Sequence, residues 1–336
     1  MKYIIVFVAT FLISIFVALL ILPVLRNKNL RQTIYELGPK THEKKQGTPT
    51  MGGLIFIIPI FIVSIILLFN SKNKFDILLL IISGALFSLI GFIDDFIKIY
   101  KKRNLGLTET QKFVFQIFAA ICVCVLIYAN SKISTEIYIP FINKYIDFGI
   151  FYYPLIIFVF VATSNSANLL DGLDGLLISN SIIIYIFYGF IYLFSIIGLM
   201  DSSILINTDE KSNVMMFIFS SIASFCGFAI FNKHPAKVFM GDVGSLYIGA
   251  IISMLSVLTN TIIILPIIAL TLVLSTLSVI IQRIYFKITK GKRIFKMSPL
   301  HYHFELSGYK ETKIVWGYSI VEFILCTIVL LFLMCF

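Results

Sequence analysis

Residues 76–95, DILLLIISGALFSLIGFIDD, set an almost wholly apolar run of eighteen residues directly before two adjacent carboxylates, Asp94 and Asp95. A run of that length, wound as a helix, crosses about 30 Å of hydrocarbon. Paired negative charge at its end demands a reason. The run is not isolated: the chain of 336 residues is 59% hydrophobic and 13% charged, with a mean hydropathy of +0.99. These values lie outside the range of soluble globular domains. The expected fold class is all-α, a polytopic integral membrane protein, with residues 1–336 forming a single membrane domain.

Apolar runs predict ten spans, near 3–25, 51–69, 76–93, 113–129, 151–167, 176–200, 214–231, 246–258, 262–285 and 314–336. The first exceeds a typical signal-peptide core and has no small-x-small cleavage pattern, so it is read as a retained span. Only the break "SVLTNT" separates the eighth and ninth spans, and charge parity supports it. Without it, "MGDVGS" and the basic 286–313 segment would fall on opposite faces.

Lys and Arg concentrate in alternate loops: six in 26–50, five in 94–112, two in 232–245 and seven in 286–313, with Arg283 at a span end, out of 27. Lys2, Lys72, Lys74, Lys132, Lys144 and Lys211 are spread thinly over the other side. Cytoplasmic loops carry the basic excess, so both termini are expected outside the cytoplasm. The net charge of +10 is therefore a topology signal, and no nucleic-acid partner is implied. The five cysteines lie in apolar runs without metal-ligand spacing, which argues against redox or metal work.

Sorted by side, the informative polar residues all fall on the cytoplasmic face. Asp94 and Asp95 close the third span. A carboxylate at a helix C-terminus opposes the macrodipole, so simple solvation of a helix end does not explain them. Consecutive helical positions point about 100° apart, which gives the two acids different neighbours. Lys98 lies four residues beyond Asp94 and three beyond Asp95, placed to pair with either or to meet an anionic ligand.

"NSANLLDGLDGL" offers Asn168, Asp171 and Asp174 at a spacing of three, which aligns them on one side of a helical turn if the helix continues. Two Asp-Gly pairs there also read as turns. Asp242 sits in "KVFMGDVGS" between Gly241 and Gly244, with Ser245 placed to cap the next span. "PLHYHFE" adds His301, His303 and Glu305.

If these acids converge, charge must be neutralised: two like charges 4 Å apart cost about 4 kcal/mol at an effective dielectric near 20. Oxygen ligands without cysteine favour a hard cation, and Mg²⁺ is the usual choice beside phosphates. Acids, a divalent metal, lysines and a histidine suit phosphoryl transfer. Span ends suit a reaction between a lipid head and a soluble substrate. The basic stretch 287–297 can hold anionic phosphates or lipid heads there.

"GTPTMGG" (47–53), "GFIDDFIKI" (91–99), "NLLDGLDGL" (168–176), "KVFMGDVGS" (237–245) and "GKRIFKMSPLHYHFE" (291–305), with the ten-span pattern, resemble the phospho-N-acetylmuramoyl-pentapeptide transferase family. The likeness covers essentially the whole chain. "MGDVGS" and the paired Asp belong to the wider group of polyprenyl-phosphate sugar-1-phosphate transferases, whereas "GTPTMGG" and the "PLH-H-FE" segment point to the narrower family. The resemblance implies transfer of phospho-MurNAc-pentapeptide from UDP-MurNAc-pentapeptide to undecaprenyl phosphate. Lipid I and UMP are the implied products, with Mg²⁺, in peptidoglycan synthesis at the bacterial inner membrane.

Carried over by position, the resemblance makes Asp94, Asp95, Asp242 and His301 catalytic. Asp94 deprotonates or orients the lipid phosphate, and Asp242 is the principal Mg²⁺ ligand. Asn168, Asp171, Asp174, Phe239 and Gly241 are the nucleoside side, with Phe239 stacking on uracil. Lys45, Thr50, Lys112 and Gln282 are further pocket positions; Lys98 and His303 complete the substrate-binding set. A homodimer is implied by family likeness alone. One departure stands out, because the family commonly has three histidines in a row where this chain has His301, Tyr302 and His303. Tyrosine hydrogen-bonds but cannot carry an imidazole's proton near neutral pH.

Two other functions compete. A sister transferase would use UDP-GlcNAc with the same lipid phosphate. A transporter or flippase would place its acids near the bilayer midplane on broken helices, not at cytoplasmic ends.

Overall fold

The computed structural model describes residues 1–27, 47–71, 74–101, 105–129, 133–200, 205 and 211–335. Among them, ten helices of 17 residues or more follow the ten apolar runs: α1 (Lys2–Asn27), α2 (Leu54–Asn70), α3 (Phe75–Tyr100), α4 (Glu109–Ala129), α5 (Tyr152–Leu170), α6 (Leu176–Ile196), α7 (Lys211–Asn232), α8 (Gly241–Leu258), α10 (Leu270–Ile288) and α12 (Glu311–Met334). Nine are long and apolar enough to cross a membrane, and α2 is the shortest. Two short helices, α9 (Leu265–Ile268) and α11 (Leu300–Glu305), complete the set.

Helix α8 is the axis of the bundle. Every residue from Val243 to Leu258 is buried, and α3 and α5 pack along it. Small residues allow that approach, as in other membrane helix pairs. A Cβ at Gly249 would stand 2.5 Å from Ser164 Cα of α5, so only glycine fits there. Around this axis, α7 packs against α1, α2 and α6, and α12 against α6. Apolar side chains of α1 and α12 stay exposed, including Phe16, Leu19, Trp316 and Phe323. In a bundle this apolar they face lipid.

The break between the eighth and ninth spans is real: α8 ends at Leu258, and Asn260 takes a left-handed φ of +48°. The Asn260 side chain accepts a hydrogen bond from Tyr138 N (3.0 Å) and donates one to Glu136 O (3.2 Å). It thereby fixes an antiparallel hairpin, β1 (Glu136–Ile139) with β2 (Lys144–Asp147), at the end of α8 remote from Asp242. The ninth apolar run, read from sequence as continuous, is broken at Ala269. The buried carboxylate of Glu322, on α12, accepts the Thr271 N–H at 3.1 Å. That bond satisfies a donor that a fresh helix start leaves open.

Candidate active site

Three helices bring charge to one end of the bundle, and a fourth brings an amide. Helix α3 runs on to Tyr100, so Asp94 and Asp95 do not close it: they sit more than a turn before its end. Continued helix is what lets Lys98 reach back. Its Nζ lies 2.6 Å from Asp94 Oδ2, 3.6 Å from Asp95 Oδ1 and 3.0 Å from Asp242 Oδ2. Helix α4 adds Lys112, whose Nζ lies 2.7 Å from the same Asp242 oxygen. From α5, Asn168 Nδ2 donates to Asp242 Oδ1 at 2.8 Å and to Ser245 Oγ at 2.9 Å.

Local backbone puts Asp242 there. Gly241 holds φ +74°, a left-handed turn into α8, and Thr50 crowds it so closely that a Cβ would stand 2.8 Å from the Thr50 hydroxyl. Asp242 then occupies the first turn of α8, where the helix dipole favours negative charge. The chain before it is pinned by backbone bonds from Phe239 N to Pro49 O (2.8 Å), Gly52 N to Phe239 O (2.9 Å) and Gly53 N to Met240 O (2.9 Å). These link "GTPTMGG" to "KVFMGD". Ser245 is no cap; its hydroxyl accepts from Asn168 instead.

Asp94 and Asp95 are both 2% exposed, which makes the charge balance decisive. Asp94 Oδ1 accepts from Leu107 N at 2.8 Å, and Asp95 Oδ2 from Val243 N at 3.2 Å. Asp94, Asp95 and Asp242 each offer an oxygen within 4.8 Å of the others. Three carboxylates meet two ammonium groups, leaving net negative charge in a poorly hydrated place. Oxygen-only donors with residual negative charge fit a hard divalent cation.

Of the residues expected on the nucleoside side, Asp171 and Asp174 lie in the turn between α5 and α6. Helix α5 stops at Leu170, Asp171 caps it, and Gly175 turns with φ +79°. Asn168, Asp171 and Asp174 therefore do not share a helical face; the Asp-Gly turns won over helix continuation. Among the described residues no hydrogen bond or ion pair engages the Asp171 carboxylate. Burial first, then the negative charges of Asp242, Asp95 and Asp174, push its pKa up to about 8. As a whole residue Asp171 is half-buried.

Other elements brace the turn. Tyr302 Oη donates to Gly172 O at 3.2 Å; burial above all raises the phenol's pKa, which keeps it a donor. Glu311 Oε1 accepts from Asp174 N at 2.5 Å, and Asn232 Oδ1 from Gly175 N at 3.1 Å. The Asp174 carboxylate is taken up by Ala236 N (3.0 Å) and His234 Nδ1 (3.1 Å), and His234 Nδ1 also lies 3.2 Å from Glu311 Oε2. His301 is fully buried, and its ring lies so close to Gly172 that a side chain there would collide with it.

The structure thus gathers Asp94, Asp95, Lys98, Lys112, Asn168 and Asp242 into one contact network, with Thr50 and Gly241 beside it. The Asp171, Asp174 and His301 set lies along the neighbouring turn, and half-buried Phe239 is held by the paired 49–53 backbone. Two expected residues have other partners. The Gln282 amide is engaged by Ile294 N, Phe295 N and Phe295 O at 3.0–3.2 Å, and His303 Nδ1 accepts from Lys296 N at 3.1 Å. Both hold the basic 291–297 loop. Lys45 lies outside the described residues. His234 and Glu311 were missed by the sequence reading. A lone histidine in a loop carries no pattern, and an acid at a helix start reads as ordinary dipole matching.

Comparison with known proteins follows the same lines. Residues 77–260 match the family described as "Glycosyl transferase family 4". Residues 45–57 match "Phospho-N-acetylmuramoyl-pentapeptide-transferase signature 1". The chain is 42% identical over 318 residues to a protein of that name from Caldanaerobacter subterraneus subsp. tengcongensis, covering 94% of this chain and 93% of the relative. It is 44% identical over 312 residues to one from Halalkalibacterium halodurans (92% and 90% covered) and 40% over 330 residues to one from Listeria welshimeri (97% of each). Similarity at this level across nearly the full length, together with the carboxylate and lysine cluster inside the matched region, makes the chain a member of glycosyl transferase family 4 and, within it, of the phospho-N-acetylmuramoyl-pentapeptide transferases.

Proposed function

We propose that this protein transfers phospho-MurNAc-pentapeptide from UDP-MurNAc-pentapeptide to undecaprenyl phosphate, giving lipid I and UMP. The observation that carries the reading is the convergence of Asp94, Asp95 and Asp242 with Lys98 and Lys112 at one end of an apolar bundle. Such a place lets a lipid head meet a soluble nucleotide sugar.

In the proposed step, an oxygen of the lipid phosphate attacks the sugar-linked phosphorus of the donor in line. A new P–O bond forms, the bond to the bridging oxygen breaks, and UMP leaves with that electron pair. A phosphate monoester has its second pKa at about 6, so the attacking group is mostly dianionic at neutral pH. Asp94 then serves chiefly to orient it. Lys98 and Lys112 hold the donor diphosphate against the pull of the acids. Asp171, His301 and Phe239 bound the nucleoside side, with Phe239 beneath uracil.

Asp242, with Asp94 and Asp95 beside it, would hold Mg²⁺. When bound, that ion neutralises charge building on the departing phosphate. Both oxygens of each of these three carboxylates already have partners. Direct transfer needs no covalent enzyme intermediate, and a two-step path through an aspartyl-phosphate is the alternative. Trapping a phospho-enzyme during turnover would exclude the direct route.

The site is assigned to the cytoplasmic face of a bacterial inner membrane, with both termini outside and a homodimer as the working assembly. The deciding experiment offers the purified protein undecaprenyl phosphate, Mg²⁺ and one UDP-sugar at a time. UMP release with UDP-MurNAc-pentapeptide is expected, and release with UDP-GlcNAc alone would reassign the chain to the sister reaction.

A further inference from the structure

Hairpin tips are ordinarily built from Gly, Asn, Asp and Ser. The β1–β2 hairpin, at the end of the bundle remote from Asp242, turns instead on Pro140, Phe141, Ile142 and Asn143. Phe141 is 62% and Ile142 54% exposed. Two adjacent large apolar side chains held outward at a tip mark a surface that another apolar phase covers. The tip is also firmly built. Ile142 N donates to Ile139 O and Asn143 N to Pro140 O, both at 3.3 Å. Asn143 takes a left-handed φ of +48°, and its side chain accepts from the Tyr138 hydroxyl at 3.0 Å. With Asn260 tying β1 to the end of α8, the apolar pair is presented with little ordering left to do on contact.

What lies beside the tip identifies its cover. The Phe141 ring meets the Phe332 ring, with centroids 5.9 Å apart. Phe332 belongs to the last turn of α12, the span whose Phe323, Ile328 and Leu331 are exposed toward lipid. The tip therefore continues the lipid-facing surface of α12 at the level where that span ends. Charge keeps off the tip itself: Lys144 comes directly after it, and Glu136 and Asp147 pair at the far end of the hairpin. A lysine next to an apolar pair can lay its stem along the acyl boundary and keep its ammonium among the phosphates.

We propose that the tip of this hairpin inserts into the bilayer leaflet opposite the catalytic face, with Phe141 and Ile142 at the acyl boundary and Lys144 at the lipid phosphates. The partner is bilayer lipid, because the tip is continuous with a surface that already faces lipid. The hairpin joins α4 to α5, the helices that carry Lys112 and Asn168 to Asp242 at their other ends. Insertion thus anchors to the membrane the one connection between these two helices.

The experiment is tryptophan fluorescence of the full-length protein in nanodiscs of phosphatidylcholine, with or without bromine on the acyl chains, and with iodide as the aqueous quencher. The chain has a single tryptophan, Trp316, on the exposed side of α12, so wild type supplies the reference for a lipid-facing residue. In a Trp316→Phe background, Phe141→Trp loses most of its emission in brominated nanodiscs and is insensitive to iodide. That pattern corresponds to a depth of about 5–10 Å at the headgroup and acyl boundary. Ile142→Trp gives a second, independent reading with the same result, and an unchanged melting temperature shows that each variant is folded. Iodide quenching of both reporters without any effect of bromine places the tip in water and overturns the proposal. Insensitivity to both quenchers means that protein covers the tip, a second copy of the chain, and overturns it equally.

Discussion

Lys98 is the residue on which the charge cluster balances. One ammonium lies within 4 Å of three carboxylates, and removing it leaves buried negative charge facing negative charge. Breaking a buried pair by deleting one partner costs about 3–5 kcal/mol. Lys98→Met is therefore expected to lower the melting temperature and to cut kcat by about a hundredfold or more; a thermal melt beside an initial-rate assay checks both. Asp171 carries a different signature. Its pKa is about 8 in the folded chain against an ordinary 3.8, so the folded state binds more protons than the unfolded one between these values. Stability contributed by this group is thus lost as pH rises from about 4 to about 8. Asp171→Asn removes that loss. Its melting temperature, without substrate, should match wild type near pH 4 and exceed it by about 2 °C or more at pH 8. A gap independent of pH would show that Asp171 is an ordinary surface acid.

At the scale of elements, hydropathy located every long helix but misjudged where polar ends begin. The third apolar run stops at Asp94 because charge ends the hydropathy signal, yet α3 continues to Tyr100 because Lys98 neutralises the acids on the next turn. The spacing of Asn168, Asp171 and Asp174 matched a helical face, but two glycines in the turn overrode it. Neither the β1–β2 hairpin nor α11 showed in the sequence. The first is fixed by Asn260, more than a hundred residues away, and the second is too short for a periodic pattern. The braced α5–α6 turn yields two tests. Tyr302→Phe removes one neutral hydrogen bond to Gly172 and should lower kcat/KM by about two- to tenfold. Glu311→Ala frees Asp174 N and His234 together, and should raise the KM for the nucleotide donor by about tenfold with a smaller change in kcat. A fall in kcat at constant KM would place Glu311 in the chemistry itself.

On the scale of the whole molecule, the sequence was most legible where one physical rule acts over many residues. Span length needed no tertiary contact, whereas the partners of Asp174, Gln282 and His303 depend on loops that meet only in the fold. The orientation proposed from charge bias has a direct check. Single cysteines at Lys144 and Lys290 should be labelled by a membrane-impermeant maleimide from opposite sides, Lys144 from outside intact cells and Lys290 only after lysis. The account as a whole depends on Asp242, which joins α3, α4 and α5 through Lys98, Lys112 and Asn168. The most direct measurement is UMP release by Asp242→Asn beside wild type, with UDP-MurNAc-pentapeptide, undecaprenyl phosphate and Mg²⁺, in protein shown to be folded by its melting transition. Turnover below about 1% of wild type is the predicted result, and turnover near the wild-type rate would contradict the site described here.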